Sequence, residues 1–310
     1  MRTPTLTLRG TRRGRAVDPR WDVATTQPTL GLGYSSCPND TFAFHALAHG
    51  LVRVPGANFS IYMDDIEALN RRALGELSAP RLPITKVSAS LSSFLLDEYV
   101  VLRAGAALGR GVGPLVVARP DRGFSSLADL AGKHIAVPGL RTTAYLLLNL
   151  FAPAGLRITP VRFDKIMPGV ADGEFDAGLI IHESRFTYPD HGLTQLADLG
   201  SLWETESELP LPLGVIVARR DLGVPLLREL ERGIADSVRY AFAHPEESRP
   251  YIREHAQEMS EQVCQQHIQL YVNQHSIELG QQGITAVERL LSRGAEVGIL
   301  PAARKSPWLD

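Results

Sequence analysis

A chain of 310 residues, 44% hydrophobic and 21% charged, carries enough apolar material for two globular lobes of ordinary soluble character. A formal net charge of -2 leaves no global basic field, so nucleic acid is not expected as a partner. With Cys37 and Cys264 as the only cysteines there is no disulfide framework or cysteine-rich zinc site, and no apolar run approaches bilayer-spanning length.

Residues 1–28 are rich in Arg, Thr and Pro, lack the apolar core of a secretory signal, and are expected to be a disordered extension. Together with the scarcity of cysteine this suggests a cytoplasmic protein with no membrane partner. Thr29 to Tyr34 is predicted as a strand, followed by a loop from Ser35 to Asp40. Thr41 to His49 is predicted as a helix, with Asn39 or Asp40 as its cap. Next come a strand from Asn58 to Met63, a helix ending at Leu74, a strand from Leu82 running into Lys86-Val87-Ser88, and a helix over Ser90 to Glu98. This alternation predicts mainly parallel sheet with helices on both faces.

Val116-Val117-Ala118-Arg119-Pro120-Asp121 returns as Ile216-Val217-Ala218-Arg219-Arg220-Asp221, each preceded by Gly and Pro. The two copies enclose about a hundred residues, one typical domain, which suggests two crossings between lobes. The first lobe would comprise residues 29–114 and 214–310, with residues 115–213 inserted as the second. Inside the insert, His134 to Val137 reads as a strand, and Thr142-Thr143 opens an apolar helix after the turn Pro138 to Arg141. Ala177 to Ile181 is a short buried strand ending in His182, Glu183, Ser184 and Arg185. The C-terminal part is predicted to be helical, including Pro225 to Ala243, and Pro301 to Asp310 to be loosely held.

Ligands in open α/β sheets sit beyond the carboxyl ends of strands, and there His182 could act as an acid or base near neutral pH. Thr142 and Thr143 at a helix start, with free backbone N–H groups, make a ready anion site. Lys86 and Ser88 add a charge and a donor at the end of another strand, with Val87 offering its main chain. Gly109 to Gly113 feeds a strand rather than a helix, so it is read as a hinge and not as a nucleotide loop. His45 and His49 stand one helical turn apart but lack the Glu of the zinc-protease motif, and no metal is assigned. Trp203 with Glu204, Glu206 and Glu208 is read as a polar surface segment.

Five strings, SCPNDTFAFHALAHG, ITKVS, ALGRGVGPLVVAR, VPGLRTTAYLLL and DAGLIIHESRFTYP, occur in order between Ser36 and Pro189. In them the chain resembles the 1,4-dihydroxy-6-naphthoate synthases of the futalosine route to menaquinone. The resemblance implies a two-lobed α/β fold like type II periplasmic binding proteins, with two hinge strands and a central cleft. It further implies a carbon–carbon lyase that converts cyclic dehypoxanthine futalosine, a carboxylated small molecule, to 1,4-dihydroxy-6-naphthoate and dihydroxyacetone without metal or organic cofactor. Carried across by position, the general base falls on His182 and the substrate contacts on Lys86, Val87, Ser88, Thr142 and Thr143. Asn39, Arg110 and Arg141 are left open as further cleft residues, and a homo-oligomer is compatible with the sequence. The alternatives are a solute-binding module and a chorismate dehydratase on the same scaffold.

Overall fold

The computed structural model describes residues 27–257 and 260–309, so the expected N-terminal extension lies, as far as residue 26, outside the described residues. The elements in chain order are β1 (Thr29–Tyr34), α1 (Pro38–Ala48), β2 (Asn58–Met63), α2 (Ile66–Leu74), β3 (Ile84–Ser88), β4 (Tyr99–Val101) and β5 (Ala107–Gly109). Then come β6 (Leu115–Ala118), β7 (His134–Val137), α3 (Thr143–Phe151), β8 (Arg157–Pro160), α4 (Phe163–Ala171), β9 (Ala177–Ile180), α5 (Ser184–Thr187), β10 (Thr194–Asp198) and α6 (Leu199–Ser207). β11 (Leu211–Arg219), α7 (Val224–Ala243), α8 (Pro245–His255), α9 (Glu261–Tyr271), α10 (Gln274–Ile277) and α11 (Gly280–Glu296) complete the chain.

Two sheets result. The first has the order β2-β1-β3-β11-β4, with β5 also on β11; the second has the order β8-β7-β9-β6-β10. In each, the first three strands are parallel and the fourth runs antiparallel to both its neighbours, so the sheets are more mixed than the alternation of strand and helix predicted. The repeated Val-Ala-Arg string is explained by this arrangement. β6 and β11 hold the same fourth place in their respective sheets, and each is entered from the other lobe. Both strands also end alike, in a short 3-10 turn where Arg119 binds Asp121 and Arg219 binds Asp221.

Several expectations are corrected. Ser90 to Glu98 is not a helix; only Ser90–Phe94 forms a 3-10 turn before the chain enters β4. Trp203 is fully buried, and its indole N–H donates to the Pro210 carbonyl 3.3 Å away, so α6 is an amphipathic helix and not a surface segment. The last residues are held as well: the Trp308 indole donates to Glu288, and the Val101 N–H donates to the Pro307 carbonyl at 2.7 Å. β11 begins at Leu211 and brings the chain back into the first sheet there.

The largest apolar core runs through both sheets, from Val87 and Val215 to Val116 and Leu179, and takes in Leu290 of α11. Smaller cores fill the outer faces, around Leu32, Phe44 and Ile234 in the first sheet and around Leu115 and Ile166 in the second. Because strand side chains alternate between faces, Val87 lies in the shared core while Lys86 and Ser88 share the opposite face with Ile84, and they meet the cavity because they stand at the carboxyl end of β3.

Candidate active site

One cavity lies between the sheets at the carboxyl ends of β1, β3, β7 and β9. Its walls include Asn39, Asp40, Lys86, Ser88, Thr142, Thr143, His182 and His267, and its volume is about 80 Å³. The pseudo-equivalence of the sheets explains its position: β1 and β3 in one lobe match β7 and β9 in the other, and all four deliver their C-terminal loops to the same gap.

The wall from the first lobe is charged. α1 starts at Pro38, which suits a first helical position because its missing N–H would be unpaired there in any case. The helix therefore begins earlier than predicted, and neither Asn39 nor Asp40 caps it. The Asp40 carboxylate accepts from the Ser35 N–H at 3.1 Å and the Ser35 hydroxyl at 2.6 Å, and it forms an ion pair with Lys86 Nζ. Asp40 is 1% and Lys86 5% exposed, so this is a buried pair and not the exposed lysine that commonly follows a strand. Asn39 donates to Asp40 at 2.9 Å and accepts from His267 Nε2 at 3.0 Å.

His182 stands just beyond β9 with φ of 59°, one of two non-glycine residues with positive φ among the described residues. Such a conformation costs about 1–3 kcal/mol and persists where surrounding structure imposes it. Its Nδ1 lies 3.5 Å from Cys37 Sγ, and its buried Nε2 makes no hydrogen bond among the described residues. Phe163 packs edge-on at 5.1 Å between ring centroids, and His267 stacks at 6.2 Å. Burial pushes the His182 pKa down to about 4; Asp40 opposes this and Lys86 adds to it. The imidazole is therefore neutral at cellular pH, but a weaker base than the near-neutral titration expected from sequence. His267 is also pushed well below its usual range by burial.

The turn before α3 is built as predicted, but its partners differ. Thr142 caps the helix, accepting from the Tyr145 N–H at 3.1 Å and donating to the Gly139 carbonyl at 2.9 Å. Thr143 donates to the Leu213 carbonyl at 3.0 Å and accepts from the Ser90 N–H at 3.2 Å. The expected anion at the turn is the protein's own Glu67, whose carboxylate reaches from α2 of the other lobe to the Arg141 N–H at 3.3 Å. A Cβ on Gly139 would overlap that carboxylate, so a glycine is needed here for the close approach.

The family model described as menaquinone biosynthesis matches residues 30–296. A 1,4-dihydroxy-6-naphthoate synthase of Thermus thermophilus is 52% identical over 270 residues, 87% of this chain and 95% of that one. The enzyme of the same name from Streptomyces coelicolor is 48% identical, covering 88% and 95% of the two chains. The chain belongs to the menaquinone biosynthesis family. Its fold is that of the periplasmic binding proteins: the alkanesulfonate-binding protein SsuA of Xanthomonas axonopodis superposes with a TM-score of 0.64 at 16% identity, over 89% of this chain and 95% of that one.

In this member of the family the cavity brings together five of the residues singled out from sequence, Lys86, Ser88, Thr142, Thr143 and His182, along with Asn39. Val87 is not among its walls; its side chain lies in the shared core. Arg110 and Arg141 are also outside: Arg110 donates to the Glu208 carbonyl, and the Arg141 guanidinium pairs with Glu76 at 3.0 Å. Cys37, Asp40 and His267 were missed. Asp40 looked like a helix cap, and His267 lies in the polar-looking string EQVCQQHIQLY, with no local sign of burial.

Proposed function

We propose that this protein is a carbon–carbon lyase that converts cyclic dehypoxanthine futalosine to 1,4-dihydroxy-6-naphthoate and dihydroxyacetone, with His182 as the general base and no organic cofactor. The observation that carries the reading is the unpartnered, buried Nε2 of His182, in a residue that lines the same cavity as Lys86, Ser88, Thr142 and Thr143. With Nδ1 facing the Cys37 sulfur, Nε2 is the nitrogen left to take a proton. Loss of that C–H proton lets the second ring become aromatic, which supplies the driving force and eases the demand on a weak base. Ser88 and the Lys86–Asp40 pair are held in place before the reaction and can meet developing oxyanion charge without reorganising.

A cavity of about 80 Å³ is smaller than the roughly 300–1,000 Å³ of typical small-molecule pockets, so the lobes part to admit a bicyclic substrate and close on it, excluding water. No helix among the described residues is long and apolar enough to cross a membrane, in keeping with a cytoplasmic enzyme acting on a soluble carboxylated intermediate. The test is to supply purified protein with the cyclic futalosine derivative and, separately, with chorismate. Naphthoate absorbance should grow only with the first, and His182→Ala should slow it by about 10²–10⁴-fold while remaining folded. Turnover of chorismate would make the protein a dehydratase. Tight binding of either compound without turnover would make it a solute-binding module.

A further inference from the structure

We propose that Cys37, His182 and Glu183 form a binding site for a thiophilic divalent cation of the Zn²⁺ type, and that its occupation switches off the base. The second half rests on the function proposed above; the first does not. Cys37 Sγ, a ring nitrogen of His182 and a carboxylate oxygen of Glu183 all lie within 4.8 Å of one another. Thiolate, imidazole and carboxylate are the three donor types that zinc takes, and the set selects against the hard cations that prefer oxygen alone.

The spacing suits such an ion. A tetrahedral zinc with its usual sulfur and nitrogen bond lengths separates those two donors by about 3.5 Å. The Cys37 Sγ to His182 Nδ1 distance is 3.5 Å. The carboxylate stands farther off and reaches the ion by rotation of the Glu183 side chain. The loop that carries the thiol is fixed by the Cys37 N–H, which donates to Ser35 Oγ at 3.4 Å. Three protein donors leave a fourth position for water or a ligand oxygen, with the adjoining cavity as the route in.

The donors also come from different lobes: Cys37 follows β1, whereas His182 and Glu183 follow β9. An ion held by all three ties the lobes together. Its binding releases the Cys37 thiol proton to solvent and takes the lone pair on His182 Nδ1. The neutral imidazole must then carry its proton on Nε2, where the nitrogen can donate but no longer accept. The ion therefore removes the base without touching the substrate subsite on Lys86 and Ser88.

The test is a titration of the purified full-length chain with CoCl₂, followed by absorbance. A stoichiometric thiolate-to-cobalt charge-transfer band with tetrahedral d–d absorption is expected, bleached by added Zn²⁺. Cys264→Ser should keep the band, while Cys37→Ser should weaken binding by more than about 100-fold, beyond the loss that outer-shell changes bring. Circular dichroism checks folding, and Cys37→Ala stands in should the serine variant fail it. Zn²⁺ should also inhibit naphthoate formation at least about tenfold, and EDTA should reverse it. Absence of the band, or its survival in both Cys37 variants, overturns the site. A band without inhibition in an active enzyme overturns the switch. A band in a protein that makes no naphthoate upholds the site and overturns the functional reading.

Discussion

Lys86 and Asp40 are each other's counter-charge in a site that excludes most solvent. Removing one partner strands the other, so Asp40→Ala should cost about 3–5 kcal/mol in urea denaturation, whereas Asp40→Leu combined with Lys86→Met should recover most of that loss. Recovery in stability without recovery of activity would separate the pair's structural role from its chemical one. Glu67 makes a second prediction at this scale. Burial raises its pKa from 4.5 to about 7, with hydrogen bonds from Asn70 and from the Arg141 N–H opposing the rise. Between those pH values the folded protein binds more protons here than the unfolded chain, so this residue's contribution to stability is full below pH 4.5 and is lost as pH rises through about 7. Glu67→Gln should flatten the stability–pH curve over that window, as read from thermal midpoints across a buffer series. Neither residue's environment was legible in sequence, because a lysine after a strand and a glutamate in a first helical turn both look exposed until a distant element covers them.

At the scale of elements, periodic hydrophobicity found α2, α3 and α7 with nearly the right ends, since each has one apolar face and a local start signal. It failed over Ser90 to Glu98, where only Ser90–Phe94 forms a 3-10 turn and the Ser92 and Ser93 hydroxyls donate to the carbonyls of Ala89 and Ser90, a local alternative to the helix. It also failed at the C-terminus. Trp308 is 7% exposed and donates to Glu288 of α11, so the tail closes the shared core instead of trailing free. Trp308→Ala should destabilise the protein by about 3–5 kcal/mol, the range for a buried tryptophan, and should lower the thermal midpoint. A tail without a packing role would leave it unchanged.

Over the whole molecule, two sheets of the same strand order face each other across one gap, and the chain crosses between them at Gly111 to Pro114 and again at Leu209-Pro210. At the first crossing a Cβ on Gly113 would overlap the backbone of Gly200 at the start of α6. Gly113→Ala should therefore cost about 1–3 kcal/mol and, because Gly113 also lines the cavity, weaken ligand binding as well. A thermal midpoint and a ligand affinity indistinguishable from those of the unaltered protein would oppose that view.

The sequence by itself determined the alternation of strand and helix and the placing of Lys86, Ser88, Thr142 and His182 at strand or helix ends, because these are written in local periodicity and turn chemistry, while the two-lobed plan came from the repeated strand and the family resemblance. Only the tertiary structure decided that Lys86 is buried against Asp40, that Glu67 fills the turn before α3, and that Cys37 and His267 close around the site. The Cys37–His182 and Asn39–His267 contacts join residues 145 and 228 positions apart. No local pattern encodes such pairs, since they exist only once distant elements of the chain are packed together.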